Sequence, residues 1–147
     1  MNIKIKSAVA VIIPFESDSK VLCVTRPNSN LIAFPGGKVE KNESEVQAAV
    51  REVLEETGLI INQADLLTIF SGTSSGRGET TYWLTAFLHV GNLKQNSDLY
   101  SSLKTEVNLE NRVVEIEDLE NAEIAAFSKN NKKIIKNLKL LNASKVK

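Results

Sequence analysis

The clearest pattern in this chain is a helical repeat of apolar residues within the stretch 36–59. The repeat follows i, i+3, i+4, i+7 and i+8, which is one stripe on a helix: Val46, Ala49, Val50, Val53 and Leu54. Asn42 followed three residues later by Glu45 resembles a capping box, and Gly58 before Leu59 is typical of a helix end. The pattern therefore predicts an amphipathic helix with a start at Asn42 and a stop at Gly58.

Apolar segments on both sides of this helix predict strands, with polar turns and loops between them at 15–20, 72–80 and 91–108. The predicted strands cover residues 3–14, 21–25, 66–71, 80–90 and 112–116, and residues 31–34 are a short apolar segment that leads into a Pro-Gly-Gly turn. Near the C-terminus, Ser128 is a possible N-cap, and Ile134, Leu138 and Leu141 follow at helical spacing. Strands around a central helix, with a second helix at the end, predict an α/β fold with a mixed β-sheet between helices.

The composition of the chain limits the classes of binding partner that we expect. The chain has 147 residues, 42% of them hydrophobic, with 18 basic and 18 acidic side chains. This length predicts one domain over residues 1–147. A formal net charge of zero and the lack of a long apolar run predict neither a nucleic-acid nor a membrane partner. Cys23 is the only cysteine, so no internal disulfide can form, which is consistent with a cytoplasmic protein. Cys23 lies in an apolar strand pattern, and we therefore interpret it as a core residue.

The predicted helix carries an unusual acidic face. Glu52, Glu55 and Glu56 lie at i, i+3 and i+4, where like charges repel by roughly 0.2–0.5 kcal/mol per pair. They also crowd the C-terminal half of the helix, where the macrodipole disfavours negative charge. Mg²⁺ or Mn²⁺ prefers such hard oxygen ligands and would cancel the repulsion, whereas a short acidic fragment alone is more often a solvated face.

The whole stretch resembles the Nudix box. Gly37, Glu43 and the run Arg51–Leu59 (REVLEETGL) match every defining position of that box, and Phe34-Pro35-Gly36 precede it as is usual in the family. The resemblance implies a Nudix α/β/α sandwich that hydrolyses a nucleoside diphosphate linked to another moiety, with water attacking phosphorus. It covers residues 34–59 tightly, and the flanks only in architecture.

The resemblance also implies a metal site that uses Mg²⁺ (or Mn²⁺). Glu55 and Glu56 are similar to the principal metal ligands, and Glu52 is similar to a third carboxylate that is a ligand or the general base. A carbonyl of Gly36 or Gly37 would complete the ligands. Arg51 and Glu43 resemble an ion pair that orients them.

Residues outside the helix are weaker candidates. The family commonly adds one acidic ligand from a loop, for which we select Glu106 and next Glu110. Candidate substrate contacts are Arg26, Gly37, Lys38 and Arg77, with Asn130 or Asn131 as possible base readers. Tyr82, Trp83 and Phe87 are mostly expected in the core, and His89 is expected to be a packed residue rather than a catalytic base.

Three functions follow. The first is a metal-dependent nucleotide pyrophosphohydrolase that splits (deoxy)nucleoside triphosphates into monophosphate and pyrophosphate. It is favoured because the chain lacks both the NADH-pyrophosphatase signature after the box and the extra N-terminal portion of many ADP-ribose members. The second acts on ADP-ribose, nucleotide sugars, dinucleoside polyphosphates or RNA 5′ ends. The third is a non-catalytic nucleotide-sensing module, which would usually have lost box glutamates. The oligomeric state, monomer or homodimer, is left open.

Overall fold

The computed structural model describes residues 5–15, 17–25, 32–75, 81–91, 110–119 and 128–145. The strands are β1 (Ile5–Ile12), β2 (Pro14–Phe15), β3 (Ser17–Thr25), β4 (Ile32–Ala33), β5 (Gly36–Lys38), β6 (Leu66–Ser75), β7 (Thr81–His89) and β8 (Glu110–Glu115). The helices are α1 (Glu45–Thr57), α2 (Ile116–Leu119) and α3 (Ser128–Lys145), with a 3-10 turn at Gln63–Asp65 before β6. None of the helices in these ranges is long and apolar enough to cross a membrane.

The first sheet has the strand order β5-β1-β7-β6 and carries both helical layers. β1 runs parallel to β7 and antiparallel to β5, while β6 returns antiparallel to β7. Ala8 and Ala10 of β1 face one core, and Val9 and Val11 face the other. This central strand is therefore a continuous apolar run, because both of its faces are covered.

The second sheet is built around β3, which pairs antiparallel with β2, β4 and β8. One core joins this sheet to the first sheet, α2 and α3, with Cys23, Leu84 and Leu138 fully buried. The other core lies beneath α1 and includes Val9 and Val53. The mixed α/β fold expected from the sequence is confirmed, and α1 rests on the first sheet beside β5.

Helix α1 differs from its predicted form at the start. Its N-cap is Ser44 rather than Asn42, since the Ser44 side chain accepts from the Gln47 amide and the Gln47 side chain accepts from the Ser44 amide. Asn42 instead occupies a turn with φ of 66°. The predicted end is confirmed, because Gly58 is a left-handed C-cap with φ of 79°.

Four of the five residues of the predicted apolar stripe of α1 pack in the core beneath it, since Ala49 and Val53 are buried and Val46 and Val50 are partly buried. Leu54 is the exception, because it is 47% exposed. The buried face also includes Ala48 and Thr57. Thr57 belongs to the buried face because its hydroxyl donates to the Val53 carbonyl and accepts from the Leu59 amide. A polar side chain with both functions satisfied is compatible with a core, so apolarity alone did not indicate that Thr57 is buried.

The observed strand boundaries also differ from the predicted ones. The segment 17–20, expected in a turn, belongs to β3, and β6 continues to Ser75 through part of the predicted loop at 72–80. Residues 36–38, read only as part of a turn, form β5. Cys23 lies in the core as expected, and burial raises the pKa of its thiol to about 12. Of the loop predicted at 91–108, residues 92–108 lie outside the described residues.

Candidate active site

The site is built where α1 covers an edge strand. In an antiparallel pair, the backbone N–H and C=O groups of every second residue point away from the partner strand. On the edge strand β5 these groups include the Gly36 amide and the Lys38 carbonyl, which therefore have no strand partner. The Gly36 N–H donates to Glu56 Oε2 at 3.0 Å, and the Lys38 carbonyl accepts from Nη2 of Arg51 at 3.0 Å. The charged face of α1 is therefore held along β5 by the backbone that the sheet leaves unpaired.

Gly37 lets the helix approach this closely. It pairs with Val9, whose side chain faces the α1 core, so a side chain at position 37 would point towards the helix. A Cβ added there would lie 2.7 Å from Glu52 Oε1 and 2.8 Å from Glu52 Cδ. The Glu52 carboxylate thus occupies the space that any larger residue at position 37 would need.

Arg51 is the hub of the acidic cluster. Its Nε and Nη2 atoms donate to the two oxygens of Glu43 at 2.7 and 3.0 Å, a bidentate pair. Its Nη1 atom donates to Glu52 Oε1 at 2.8 Å and to Glu55 Oε2 at 3.2 Å, and Glu40 Oε1 lies 3.8 Å away. One guanidinium therefore faces four carboxylates.

The carboxylates of this cluster differ in electrostatics. Hydrogen bonding to Arg51 lowers the pKa of Glu43, and the same hydrogen bonds raise the pKa of Arg51. Burial raises the pKa of Glu52 even though Arg51 opposes the shift. The Glu52 side chain is 14% exposed and that of Glu55 is 44% exposed. Glu52 is thus the more shielded proton acceptor, and Glu55 the more accessible anion.

The oxygen donors on this face are of the chemical type that a hard divalent cation binds. Oxygens of Glu52 and Glu55 already converge on one cationic nitrogen of Arg51, and Glu56 lies one residue further along the same helix. Carboxylate oxygens are the ligands preferred by Mg²⁺ and Mn²⁺. In the part of the chain that the structure describes, no three His, Cys, Asp or Glu side chains form a ready-made cluster for a metal. Two of the three candidates are engaged by Arg51 instead.

The chain as a whole matches a known protein family. A sequence profile of the NUDIX domain matches residues 4–138. The chain belongs to the NUDIX domain family. The Gly37–Leu59 segment is its Nudix box, so the box accounts for the convergence of α1 and β5.

Individual relatives are similar over parts of the chain. The chain is 45% identical over 67 residues to the ADP-ribose pyrophosphatase of Methanocaldococcus jannaschii, covering 44% of this chain and 40% of that one. It is 40% identical over 78 residues to the CTP pyrophosphohydrolase of Escherichia coli, covering 50% and 56%. The chain thus spans about half the length of the curated relatives it matches.

A solved structure extends the likeness to the whole fold. The solution structure of the E. coli ORF135 protein superposes with a TM-score of 0.70 at 25% identity, covering 98% of this chain and 95% of that one. The Nudix sandwich predicted from the box is therefore the fold of this chain.

The structure places Lys38 away from the Nudix-box glutamates. Lys38 pairs with Ala8, whose side chain faces the core opposite α1, and its ammonium lies 5.9 Å from the centroid of the Tyr82 ring. Strand alternation separates it from Gly37, a signal already present in the sequence GGK. Its carbonyl, rather than its side chain, contacts the box through Arg51.

The other residues considered for substrate contact are partly buried in the core, partly exposed and partly outside the described structure. Asn130 is buried, and its amide donates to the Thr73 carbonyl at 3.2 Å, so it ties α3 to β6. Phe87 is a core residue, and Trp83 is 40% exposed. Outside the described residues or side chains lie Arg26, Arg77, Glu106, Glu110 and Asn131.

His89 is packed, as expected. It is 4% exposed, and burial lowers the pKa of its imidazole, an effect that Asp65 opposes. It lies on β7 at the register of Leu66, beyond the row that joins Val9 to Gly37. This position gives it no contact with the Nudix-box glutamates.

Sequence reasoning missed Glu40. A turn brings it to the site, because the Glu43 amide donates to the Glu40 carbonyl at 3.1 Å and the Glu40 amide donates to Glu43 Oε1 at 3.0 Å. The turn passes through Asn42 in its left-handed conformation, which asparagine tolerates better than most residues. The Lys41-Asn42 pair is the sequence feature that could have predicted this turn.

Proposed function

We propose that this protein is a divalent-metal-dependent nucleotide pyrophosphohydrolase that splits (deoxy)nucleoside triphosphates into monophosphate and pyrophosphate. The observation that carries the proposal is that Glu52, Glu55 and Glu56 lie on one face of α1. There, Arg51 and the edge of β5 fix their positions. This arrangement concentrates hard anionic oxygens where repulsion would otherwise destabilise the helix.

Phosphates are strongly anionic, so this acidic face needs a cation to receive them. Glu55 and Glu56 would hold Mg²⁺ or Mn²⁺, with Glu52 or a carbonyl of Gly36 or Gly37 completing the site. When bound, such an ion neutralises charge on the phosphate oxygens and makes water more acidic. The remaining chemistry falls to the side chains of this chain.

Glu52 is the best placed proton acceptor. Its carboxylate is shielded, lies against Gly37, and is held by Nη1 of Arg51 at 2.8 Å. As the water oxygen forms a bond to phosphorus, the water proton passes to Glu52 and the phosphoanhydride bond breaks. The bonding electrons stay on the bridging oxygen, which leaves as part of the other product, pyrophosphate or the nucleoside monophosphate. Glu43 keeps Arg51 in place through two hydrogen bonds, which preserves the direction of the Glu52 carboxylate.

The triphosphate assignment is supported by the E. coli CTP pyrophosphohydrolase, which aligns over half of this chain. The M. jannaschii ADP-ribose pyrophosphatase supports a second candidate, ADP-ribose, through 45% identity over 67 residues. Both substrates contain a phosphoanhydride bond next to a nucleoside, so the same carboxylate face serves either. A sensing module is disfavoured because the Nudix box retains every glutamate.

The test is phosphate release from a nucleotide panel with Mg²⁺ or Mn²⁺, with and without added inorganic pyrophosphatase. The panel holds the eight common triphosphates, oxidised guanine nucleotides, ADP-ribose, NADH, diadenosine polyphosphates and nucleotide sugars. We expect triphosphates to release phosphate only with the coupling enzyme, because the first product is pyrophosphate. Glu55→Gln protein, purified in parallel, controls for contaminating phosphatases.

Each other outcome has a defined meaning. Turnover confined to ADP-ribose, detected as ribose phosphate and AMP, would select the second candidate. No turnover despite metal binding would contradict both substrate assignments. No turnover and no metal binding would contradict the enzymatic proposal and favour a sensing module.

A further inference from the structure

A buried histidine lies at the end of β7, beside the 3-10 turn that precedes β6. His89 is 4% exposed, and it pairs in register with Leu66, the first residue of β6. The next residue, Val90, donates its backbone N–H to the Asp65 carbonyl at 2.8 Å. A Cβ added at Gly91 would collide with Cε1 of the His89 ring and lie 2.8 Å from its Nε2 atom. The chain at 90–91 therefore encloses the imidazole against the turn that ends at Asp65.

The two nitrogens of this ring have different surroundings. Nε2 lies on the side of Asp65, because the position of a Cβ at Gly91 is 2.8 Å from Nε2 and 3.0 Å from Asp65 Oδ2. Nδ1 is buried and forms no hydrogen bond with any residue that the structure describes. A carboxylate only accepts hydrogen bonds, so this arrangement suits a neutral imidazole with its proton on Nε2. A second proton would place a buried N–H on Nδ1 with no acceptor, which is costly.

We propose that His89 forms a pH-sensitive latch at this junction. The latch consists of the His89 ring and the backbone bond from Val90 to Asp65 that encloses it. It is closed when the imidazole is neutral, and protonation favours an open form in which the ring reaches water and the bond is broken. The closed latch fastens the connection that leads from α1 to β6 onto the end of β7. Acid therefore loosens this connection, and the inference does not depend on the proposed catalytic function.

The surroundings of the imidazole disfavour its charged form. Burial lowers the pKa of His89, and the carboxylate of Asp65 opposes this shift. The core on this side of β7 is otherwise apolar, with these members near the end of α1 and along β6 and β7: Leu59, Ile61, Leu66 and Phe87. Arg51 and Glu56 of α1 are engaged at β5, which β1 separates from β7. Among the described residues, Asp65 is thus the charged group that faces the ring.

The closed latch is stable at neutral pH and weakens in acid. The exposed ring of the open form should show the ordinary histidine pKa of about 6.5, whereas the pKa of the enclosed ring is lowered. The closed form is therefore fully favoured above about pH 6.5, and its advantage falls as the pH drops through that value. With the enclosed ring neutral down to pH 5.5, the ratio of closed to open forms falls about tenfold between pH 7.5 and pH 5.5.

The first experiment is a proton NMR titration of the imidazole in the wild-type protein. His89 is the only histidine in the chain, so its ring C–H signals need no assignment by mutation. The same titration of the chain unfolded in urea supplies the reference. We expect the midpoint in the folded protein to lie below that of the unfolded chain. An equal or higher midpoint would overturn the proposal, because protonation would then not favour the open form.

Hydrogen exchange of the Val90 amide measures the opening itself. We expect its protection factor to fall about tenfold from pH 7.5 to pH 5.5 in the wild type. In His89→Phe the ring has a similar shape, loses no hydrogen bond at Nδ1 and takes no proton, so we expect a change of less than about twofold. An equal change in the two proteins, or no change in the wild type, would overturn the proposal.

An amide in another element is the internal control. The Ala48 amide donates to the Ser44 carbonyl at 2.9 Å in the first turn of α1, and its protection factor should change little over the same pH range in either protein. If His89→Phe does not fold, the wild-type protein still decides, because the NMR titration uses no variant and Ala48 is the reference for Val90. A Val90 protection factor that changes only as much as that of Ala48 would then overturn the proposal.

Discussion

The two edges of the first sheet are both covered by helix side chains, but one cover is neutral and the other is charged. At β6, two asparagines of α3 donate to backbone carbonyls: Asn130 to Thr73 at 3.2 Å and Asn137 to Ile69 at 2.7 Å. Ile69 lies at a register shift in the pairing with β7, so Asn137 satisfies a group that the ladder displaces. This edge is closed with no net charge.

At β5, charged side chains of α1 form hydrogen bonds with the unpaired backbone groups of the edge strand. Glu56 accepts from the Gly36 amide, and Arg51 donates to the Lys38 carbonyl. A neutral amide nitrogen could donate to the Lys38 carbonyl, as Asn130 and Asn137 donate to the carbonyls of β6, and a neutral amide oxygen could accept from the Gly36 amide. Charged covers add repulsion between carboxylates and crowd the C-terminal half of α1. This difference supports the proposal that the β5 edge serves catalysis, whereas the β6 edge contributes to stability.

The largest expected effect comes from making the charged cover neutral. In Glu56→Gln the amide oxygen still accepts from Gly36, so β5 remains covered as β6 is, but the anion is lost. We expect turnover to fall by about 10²–10³-fold or more with little change in melting temperature, and Glu55→Gln to behave alike. Steady-state kinetics and thermal denaturation check this. Near-normal rates in both variants would contradict the metal-site assignment.

A methyl group at Gly37 should separate the carboxylate from the strand without changing any charge. In Gly37→Ala, the new Cβ would lie 2.7 Å from Glu52 Oε1, so the Glu52 side chain must move. We expect about a 10–100-fold loss of kcat, the range for displaced orienting contacts, with a much smaller loss of stability. Kinetics at saturating metal measure this. A wild-type kcat would show that the position of Glu52 is not important.

Removal of Arg51 tests whether its hydrogen bonds to the glutamates are needed for activity. Arg51→Ala leaves Glu43, Glu52 and Glu55 without their shared partner, so we expect about a 10–100-fold loss of turnover. Full activity in this variant would contradict the role of Arg51 in holding Glu52. Arg112→Ala, which removes an exposed arginine on β8, is the matched control and should retain its rate.

The neutral edge should affect stability and leave activity alone. In Asn137→Ala the Ile69 carbonyl loses its donor, and we expect the free energy of unfolding to fall by about 1–3 kcal/mol. Chemical denaturation measures it. Asn142→Ala is a matched control, because its exposed bond to the Asp18 carbonyl can be replaced by water and should matter less. A large loss of kcat in Asn137→Ala would break the distinction between the two edges.

The smallest effect is a difference in pH dependence. Arg51 lowers the pKa of Glu43 in the folded chain, so their ion pair stabilises the fold above the ordinary carboxyl pKa. That contribution is lost as the pH falls through the lowered value. We therefore expect the destabilisation caused by Glu43→Gln to shrink between pH 7 and pH 3, and that caused by Asn137→Ala to persist. Urea denaturation at both pH values compares them, and a constant Glu43→Gln effect would contradict the assignment.

The sequence could predict the acidic face of α1, because spacing at i, i+3 and i+4 depends only on helix geometry. It could not choose between Asn42 and Ser44 as the cap, since both residue types cap helices well and only packing selects one. The contact between Asn130 and Thr73 links residues 57 positions apart, and nothing local encodes it. The approach of Glu40 likewise depends on one left-handed residue in a turn.

The most direct test of the account compares Mg²⁺-dependent turnover of a nucleoside triphosphate by wild type, Glu56→Gln and Asn137→Ala at equal folded concentration. Each variant alters one edge of the same sheet. We expect Glu56→Gln to lose at least about 10²-fold in kcat, while Asn137→Ala stays within about twofold of wild type. Equal losses in the two variants, or full activity in Glu56→Gln, would contradict the claim that the charged edge is the catalytic one.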